Sequence, residues 1–431
     1  MSETRLETNS KTPPLALILV AILTLAFAIR VGVRLAFGED DFWRNGYFLY
    51  YELAQHIVSE NGFCFAQHTC AWLPPLYPLF LTLSIISGKN YLLIVVPQAL
   101  LGAGTALCAF FIGRHIFTVS TGVLACAVTA FYPYYAVHDT ALQDTGMVTF
   151  CTALAVALLL RASKLNRKTD WFLAGAALGV IPLIHASMAP AAGVGLLWCA
   201  VWGAPGNWSQ RLTKSFVLLL AVALVTSPWL VRTYRFTGVP AFSSQTGWAL
   251  WMGNNPETFS RYPAESIDRS REQTWLKMSE TDRVDLQRLA NDENGRSNWF
   301  AHRALVYMQQ NPLQVLQGMF RKLNAGFSWR LNPFREPMAQ AAYSIAYLPV
   351  AVLGLLGMCL ARRRHEVILI GLLFIVFICV TAIFWAHTSH RSYLDVYWIV
   401  FAASVLERGW TTLRSLRAAS SAFHLRPIKN S

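Results

Sequence analysis

The chain has 431 residues, of which 55% are hydrophobic and only 14% are charged, and its mean hydropathy is +0.38. A soluble globular protein of this size carries more charge, so the composition predicts a membrane protein with several spans. The net charge of +13 does not indicate nucleic-acid binding, because the basic residues are dispersed through short loops and the C-terminal tail.

Long apolar stretches follow one another with short loops between them. About 17 to 25 apolar residues cross a bilayer as a helix, and the strand alternation of a porin is absent, so we expect an all-α polytopic bundle of about ten spans. Lys and Arg concentrate in cytoplasmic loops, and here they occupy alternate loops. The predicted spans are 15–37, 91–113, 119–137, 146–160, 171–185, 187–202, 216–231, 341–361, 367–386 and 394–408.

The apolar segment 76–87 is treated differently. It is short, and a crossing there would move Arg114 to the outer side and break the alternation of basic loops. We therefore predict a re-entrant or interfacial helix.

The charge pattern divides the chain into four parts. We predict an N-terminal transmembrane module over 1–231, an outer-face segment over 232–340, C-terminal transmembrane helices over 341–408 and a basic cytoplasmic tail over 409–431. With both termini cytoplasmic, the expected location is the inner (plasma) membrane with the outer loops in the periplasm. The outer-side segments are 38–90, 138–145, the turn at His185, 232–340 and 387–393.

The first outer segment contains two cysteines, Cys64 and Cys70. A disulfide is expected if the outer face is oxidising, and a pair of free thiols is the alternative. The aromatic residues of 47–58 predict a helix in the membrane interface.

Several motifs occur in a fixed order on one side of the membrane. They are YxxxA and NGF, WLPPLYPLFL, the basic turn GRHIF, FYPYYAVHDTALQD, PWLVRTYRFTGVP with GNNP, and SHRSY before the last span. In this order the chain resembles the membrane-integral GT-C glycosyltransferases, specifically bacterial relatives of the protein mannosyltransferase and aminoarabinose transferase group (family 39-like). The resemblance covers nearly the whole chain. It implies sugar transfer from a polyprenyl-phosphate carrier to an acceptor hydroxyl at the outer face, with inversion at the anomeric carbon.

Such a reaction needs a carboxylate to take the proton of the acceptor hydroxyl. The candidates are Asp41, Glu52 and Asp144. In the family, the first acidic residue stands about eight positions before the alanine of YxxxA. In this chain that position is occupied by Gly46, so Asp41 and Glu52 are equal candidates for the role. Asp144 matches the second acidic position, with capping of the helix that follows it as the alternative.

The departing lipid phosphate needs positive charge. Arg30 and Arg34 share a face near the outer end of the first helix, with snorkelling as the alternative for both. His185 occupies a turn where relatives often carry a basic residue, or it is a buried neutral histidine. Arg391 stands in SHRSY, where the family often has an arginine-tyrosine pair.

The residues expected to contact substrate are Trp72, Tyr77, Trp251 and Asn254. Aromatic faces can stack on a sugar ring, and a role in a turn is the alternative for Asn254. No cofactor is indicated with certainty, and a divalent cation is possible. The expected partners are a polyprenyl-phosphate-linked sugar, membrane lipids and an acceptor glycan, lipid or protein, without nucleic acid.

Two other classes share this topology: a transporter or flippase, and a polysaccharide polymerase or ligase of the cell envelope. A transporter is expected to carry charges or broken helices at mid-span, and these spans have few ionisable residues away from their ends. A non-catalytic assembly factor would not require acidic residues on one face. No P-loop, GxGxxG or GxSxG motif indicates other chemistry.

Overall fold

We describe a computed structural model over residues 14–59, 62–65, 69–265, 267–332, 335–385 and 387–424. Within these ranges the regular secondary structure is entirely helical. The predicted all-α membrane architecture is confirmed. Seven helices of the described residues are long and apolar enough to cross a bilayer: Leu15–Arg44, Leu92–Ile116, Thr145–Leu165, Ala186–Gly203, Trp208–Thr237, Pro337–Leu360 and His365–Ile383.

Most helices of the N-terminal half overlap predicted spans, and the predicted span 119–137 is the exception. The helices of this half are α1 (Leu15–Arg44), α2 (Phe48–Val58), α3 (Leu76–Ile86), α4 (Leu92–Ile116), α5 (Val119–Phe131), α6 (Pro133–His138), α7 (Thr145–Leu165), α8 (Lys168–Ile184), α9 (Pro190–Trp198) and α10 (Trp208–Thr237).

The C-terminal half begins with shorter helices and contains three long ones near its end. They are α11 (Thr246–Gly253), α12 (Ser270–Leu276), α13 (Glu280–Arg288), α14 (Glu293–Gln310), α15 (Pro312–Gly326), α16 (Pro337–Leu360), α17 (His365–Ile383), α18 (Thr388–Ser392) and α19 (Asp395–His424).

Residues that break helices end the first span and interrupt another predicted one. Gly38 has a φ of 82° and separates the apolar part of α1 from its last six residues, which agrees with a first span ending at 37. The predicted single span 119–137 is wrong, because Tyr132 is extended and Pro133 starts the separate helix α6. Proline cannot supply the amide hydrogen that a continuous helix needs there.

The bundle packs through close helix contacts. Helix α8 lies between α7 and α10, α4 packs against α1, α5 and α7, and α19 packs against α5 and α16. Small residues allow the closest approaches: a Cβ atom at Gly113 of α4 would lie 3.0 Å from the Cα of Gly122 in α5. This is the packing expected between helices in a membrane.

The first outer loop is joined to the outer-face segment. Cys64 and Cys70 form a disulfide, so of the two alternatives the bridged state is observed. Glu293 of α14 accepts hydrogen bonds from the backbone amides of Cys70 (2.7 Å) and Ala71 (3.1 Å), and Arg232 donates to the Cys70 carbonyl oxygen at 2.7 Å. The loop that follows α2 is therefore fixed against α10 and α14.

Candidate active site

Asp144 lies at the meeting point of three distant segments of the chain. Its Oδ2 atom accepts a hydrogen bond from the Tyr50 hydroxyl at 3.1 Å and contacts His185 Nδ1 at 2.7 Å. The Asp144 side chain is 8% exposed and that of His185 19%. Tyr50 comes from α2, Asp144 from the turn before α7, and His185 from the turn after α8, so the bundle creates this group.

Helix capping does not account for the Asp144 side chain. Although the residue directly precedes α7, its side chain makes no capping hydrogen bond to that helix. Both bonds to the carboxylate within the described ranges end on Oδ2, so Oδ1 is the oxygen that can accept a proton from a substrate.

A row of histidines extends from this pair toward the outer-face segment. The His185 ring lies 5.3 Å from that of His390, and His390 lies 5.4 Å from His387. His387 Nε2 contacts Asp268 Oδ2 at 2.9 Å. Burial, followed by the charges of His185 and His387, lowers the pKa of His390 well below its usual value. A neutral imidazole thus separates two Asp–His pairs, Asp144–His185 and Asp268–His387.

The Asp268–His387 pair predicts a pH-dependent stability. Burial opposes both charges, yet the two partners outweigh it: the pKa of His387 is raised above 6.5 and that of Asp268 is lowered below 3.8. The contribution of His387 is complete below pH 6.5 and is lost as pH rises through its raised pKa, whereas that of Asp268 is lost as pH falls through its lowered pKa. The ion pair therefore forms at pH values between the lowered pKa of Asp268 and the raised pKa of His387.

We expect the thermal midpoint of the purified protein to fall as pH rises above 6.5 through the raised pKa of His387, and less so in Asp268→Asn. His387→Asn should show the same flatter profile. Identical slopes in the wild type and both variants would contradict a structural role for the pair.

Asp41 and Glu52 are not brought to this group. Asp41 is bound by Arg34 NH1 at 3.0 Å and by the Asn45 amide at 2.6 Å, and Glu52 is partly exposed on α2. Each Asp41 oxygen thus already accepts a hydrogen bond from a neighbouring side chain. The alternative of snorkelling does not describe Arg34, whose side chain is 3% exposed.

Gly46, where the resembled family carries its first acidic residue, lies against the loop of Asp144. A Cβ atom at Gly46 would fall 2.6 Å from the Cβ of Leu142, and the Tyr47 amide donates to the Leu142 carbonyl oxygen at 2.7 Å. The family's acidic position and Asp144 therefore belong to one region, although this chain has no side chain at the first of them.

The expectation that Arg30 binds a phosphate does not fit its position. Arg30 is fully buried, its Nε donates to Asp139 Oδ2 at 2.8 Å, and its NH1 donates to the Ala130 carbonyl oxygen at 2.8 Å. Gly102 of α4 leaves the space for this ion pair, since a Cβ atom there would overlap both partners. Arg30 therefore belongs to helix packing.

Arg391 has the same character. Its side chain is 1% exposed, its NH1 donates to Asp395 at 2.7 Å, and its NH2 donates to the Tyr343 hydroxyl at 2.9 Å. The guanidinium lies 3.8 Å from the centre of the Tyr347 ring. These contacts fix α18 to α16 and α19, and the ion pair with Asp395 already balances the charge that a phosphate would need.

The four residues expected to contact substrate are separated. Tyr77 is buried and its hydroxyl contacts Gln98 at 3.2 Å, while Trp72 lies 6.1 Å from Trp248. The indole nitrogen of Trp251 is buried without a hydrogen-bond partner in the described part of the chain.

Asn254 fixes a turn. Its amide donates to the Leu250 and Ile383 carbonyl oxygens at 2.9 and 2.8 Å, and its Oδ1 accepts from Lys322 at 3.2 Å. Burial lowers the pKa of this lysine to about 8. The amide of Asn254 is thus committed to holding α11 against α15 and α17.

A divalent cation would need several oxygen or nitrogen ligands around one point. Among the described residues there is no group of three or more His, Cys, Asp or Glu that could hold one. Asp41 and Asp144 each contact a basic side chain instead, Arg34 and His185 respectively. The residues present therefore do not fit a metal site.

Sequence reasoning missed two outer-face residues. Asp268 lies in a polar stretch without a motif, and Arg335 lies in the connection before α16. The folded chain brings Asp268 into contact with His387, and the charge of Arg335, after burial, lowers the pKa of His138. The closest indication in the sequence was the prediction that segment 232–340 lies on the outer face.

Residues 73–231 match the family model described as dolichyl-phosphate-mannose-protein mannosyltransferase. No curated protein matches the chain. Among solved structures, the oligosaccharyltransferase of Archaeoglobus fulgidus in its apo form is similar at a TM-score of 0.55 and 14% identity, covering 95% of this chain and 52% of that one. The same enzyme with a tethered acceptor peptide gives a TM-score of 0.53 and 14% identity, covering 96% of this chain and 52% of that one.

A third structure, with an inhibitory peptide and a dolichol-phosphate, also matches at a TM-score of 0.53 and 14% identity over 95% of this chain and 52% of that one. This chain spans about half the length of the archaeal enzyme, and at such low identity the likeness shows the fold. The expected resemblance to membrane-integral GT-C glycosyltransferases is confirmed by these matches. The chain is a multi-pass membrane protein.

Proposed function

We propose that this membrane protein, with its mannosyltransferase-family segment at residues 73–231 and its GT-C fold, transfers a sugar from a polyprenyl-phosphate donor to an acceptor hydroxyl. The observation that carries the proposal is the convergence of Tyr50, Asp144 and His185. A carboxylate held by a phenol and an imidazole at the outer end of the spans meets the need for a general base beside a lipid substrate.

The reaction is a single displacement with inversion. The acceptor oxygen forms a bond to the anomeric carbon while the bond from that carbon to the phosphate oxygen breaks, and the electron pair leaves with the phosphate. Asp144 Oδ1 takes the proton of the acceptor hydroxyl. His185 and Tyr50 hold the carboxylate in position through Oδ2, so the base does not have to reorganise during the reaction.

We assign the active side to the periplasmic face of the inner (plasma) membrane, with both termini cytoplasmic. The basic loops at 161–168 and 362–364 lie at the opposite end of the spans from Asp144, as the positive-inside rule expects. The Cys64–Cys70 disulfide supports an oxidising compartment on the Asp144 side.

Three types of ligand follow from this proposal. The donor is a polyprenyl-phosphate sugar, since a structure of the similar archaeal enzyme is in complex with a dolichol-phosphate. The acceptor is a hydroxyl of a glycan, lipid or protein. That enzyme has also been crystallised in complex with Zn and sulfate, but a divalent cation has no evident ligand set in the described residues of this chain, and we assign no step to it.

The transporter alternative is less well supported. The buried arginine Arg30 of α1 is paired with Asp139, whereas ion or proton coupling would use charges facing a water-filled path.

The test is sugar transfer in membranes that contain the full chain. Radiolabelled polyprenyl-phosphate sugars, hexoses and pentoses in turn, are supplied with envelope fractions as acceptors. We expect label to move to a new product with one donor, and the product to have the opposite anomeric configuration. His115→Ala, on the cytoplasmic side, is the control. A folded protein that transfers none of the sugars would overturn the proposal.

A further inference from the structure

Three partly buried histidines connect two carboxylates, Asp144 and Asp268. His185 contacts Asp144 at 2.7 Å, and His387 contacts Asp268 at 2.9 Å. Between them lies His390, whose ring centre is 5.3 Å from that of His185 and 5.4 Å from that of His387. Rings at this spacing exchange a proton directly or through one bridging water molecule. We call these five residues the histidine row.

The proposed reaction leaves a proton on Asp144. The acceptor hydroxyl gives its proton to Oδ1 of this carboxylate, and the electron pair of the broken bond leaves with the phosphate. Every turnover therefore deposits one proton on a side chain that is only 8% exposed. Because a protonated carboxyl cannot act as a base, the proton has to leave before the next turnover.

Two side chains of the described residues hydrogen-bond to Asp144, and they differ in their ability to pass a proton on. Burial, followed by the charge of Asp144, raises the pKa of Tyr50 well above its usual value, so the phenol keeps its own proton. An imidazole can take up a proton at one ring nitrogen and release one at the other. His185 faces Asp144 with Nδ1, which leaves Nε2 for the next ring.

His390 occupies the middle of the row. Burial, followed by the charges of His185 and His387, lowers its pKa well below the usual value, although Asp268 acts in the opposite direction. The Tyr393 ring lies 5.8 Å from His185 and 6.0 Å from His390, and it packs beside both. A neutral imidazole of low pKa accepts a proton from one neighbour and gives it up readily to the next.

The far end of the row is closer to water than its start. The Asp268 side chain is 31% exposed, against 15% for that of His387. Although burial opposes it, the charges of His387, His390 and Arg271 lower the pKa of Asp268, and Arg271 itself is exposed. A carboxylate of low pKa holds a proton only briefly. The row therefore runs from a buried carboxylate to a more exposed one.

We propose that the histidine row carries the proton of the acceptor hydroxyl from Asp144 to water at the outer-face segment. The proposal rests on the proposed function. The proton passes from Asp144 to His185, then through His390 to His387, and it leaves beside Asp268. At each transfer one bond to hydrogen breaks and one forms, so the row returns to its starting protonation state after every turnover. His390 and His387 act through Asp144 rather than on the substrate.

Chemical rescue of His390→Ala, in membranes that contain the full chain, tests the row. Turnover is measured in weak buffer with the donor and acceptor that the wild type uses. We expect His390→Ala to lower the turnover at least about tenfold and to leave the KM of both substrates unchanged. Added imidazole should restore most of the turnover, because it can occupy the space that the missing ring leaves. His302→Asn, at an exposed histidine of α14, is the matched control and should match the wild type with and without imidazole.

Two further variants separate proton transfer from structure. His390→Gln keeps a polar side chain of similar size, but it cannot carry a proton and leaves no space for imidazole. It should therefore lose as much turnover as His390→Ala and gain nothing from imidazole. His387→Ala repeats the rescue experiment should His390→Ala fail to fold, which the thermal midpoint of each variant reports.

The outcomes distinguish the row from the proposed function. Wild-type turnover in either His390 variant overturns the inference and leaves the proposed function standing. A loss that imidazole restores in neither alanine variant also overturns it, because the histidines then have only a structural role. Equal rescue of His390→Gln and His390→Ala overturns it as well, since imidazole then acts elsewhere. A wild type that transfers no sugar overturns the proposed function, and the role of the row falls with it.

Discussion

Replacing Asp144 by asparagine is expected to lower the turnover of sugar transfer by about 10²- to 10⁴-fold, the range that a general base contributes. Asparagine preserves the shape of the side chain and can still contact Tyr50 and His185, but it cannot take the proton of the acceptor hydroxyl. The KM for the donor should change little, because the carboxylate acts on the acceptor. The measurement is steady-state transfer in membranes with equal amounts of folded protein.

Asp41→Asn and Glu52→Gln serve as matched controls for that experiment. Both are acidic residues of the first outer loop, but Asp41 is bound by Arg34 and Asn45 and Glu52 lies partly exposed on α2. We expect each variant to keep its turnover within about tenfold of the wild type, well short of a lost general base. If Asp144→Asn is fully active while either control is inactive, the base is in the first outer loop.

Replacing Arg30 by alanine is expected to destabilise the fold by about 3–5 kcal/mol, the cost of leaving one charge of a buried pair without its partner. Asp139 would remain buried beside α4. Since whole domains are stable by only about 5–15 kcal/mol, most of the protein should be lost or aggregated. The measurement is the monodisperse fraction after solubilisation, together with the thermal midpoint.

The double variant Arg30→Met with Asp139→Leu separates stability from function. Apolar side chains of similar volume can replace a buried ion pair with little loss, so the double variant should regain most of the folded protein and its transfer activity. If Arg30→Ala instead folds like the wild type and only donor binding is lost, Arg30 is a phosphate ligand after all.

The sequence by itself identified the class of protein because the bilayer constrains composition directly. Spans must be apolar and about as long as the membrane is thick. The prediction that 76–87 is not a full crossing used both length and the position of Arg114, and the helix there, Leu76–Ile86, has 11 residues. The same reasoning misjudged 119–137, since hydropathy is unaffected by the extended Tyr132 and the new helix at Pro133.

Charged residues near the outer ends of the spans show where local reasoning stops. Arg30 and Arg34 are one helical turn apart and look alike in the sequence, but Arg30 meets Asp139 across 109 residues, whereas Arg34 meets Asp41 just beyond the end of the span. A side chain's role depends on whether its partner is another part of the protein or a ligand. The partner of Arg30, Asp139, directly follows α6, and the spacing along the chain does not encode where that segment packs.

The chain's own pattern therefore determined the helical membrane architecture, and it supplied the candidate carboxylates, including Asp144. Only the tertiary structure decided which of them share a site. It placed His185 and Tyr50 on Asp144, brought Asp268 to His387, and buried Arg30 and Arg391 in ion pairs. The physical reason is the difference between local and long-range interactions. Burial in a bilayer acts on each residue separately, whereas a site depends on contacts between residues far apart in the chain.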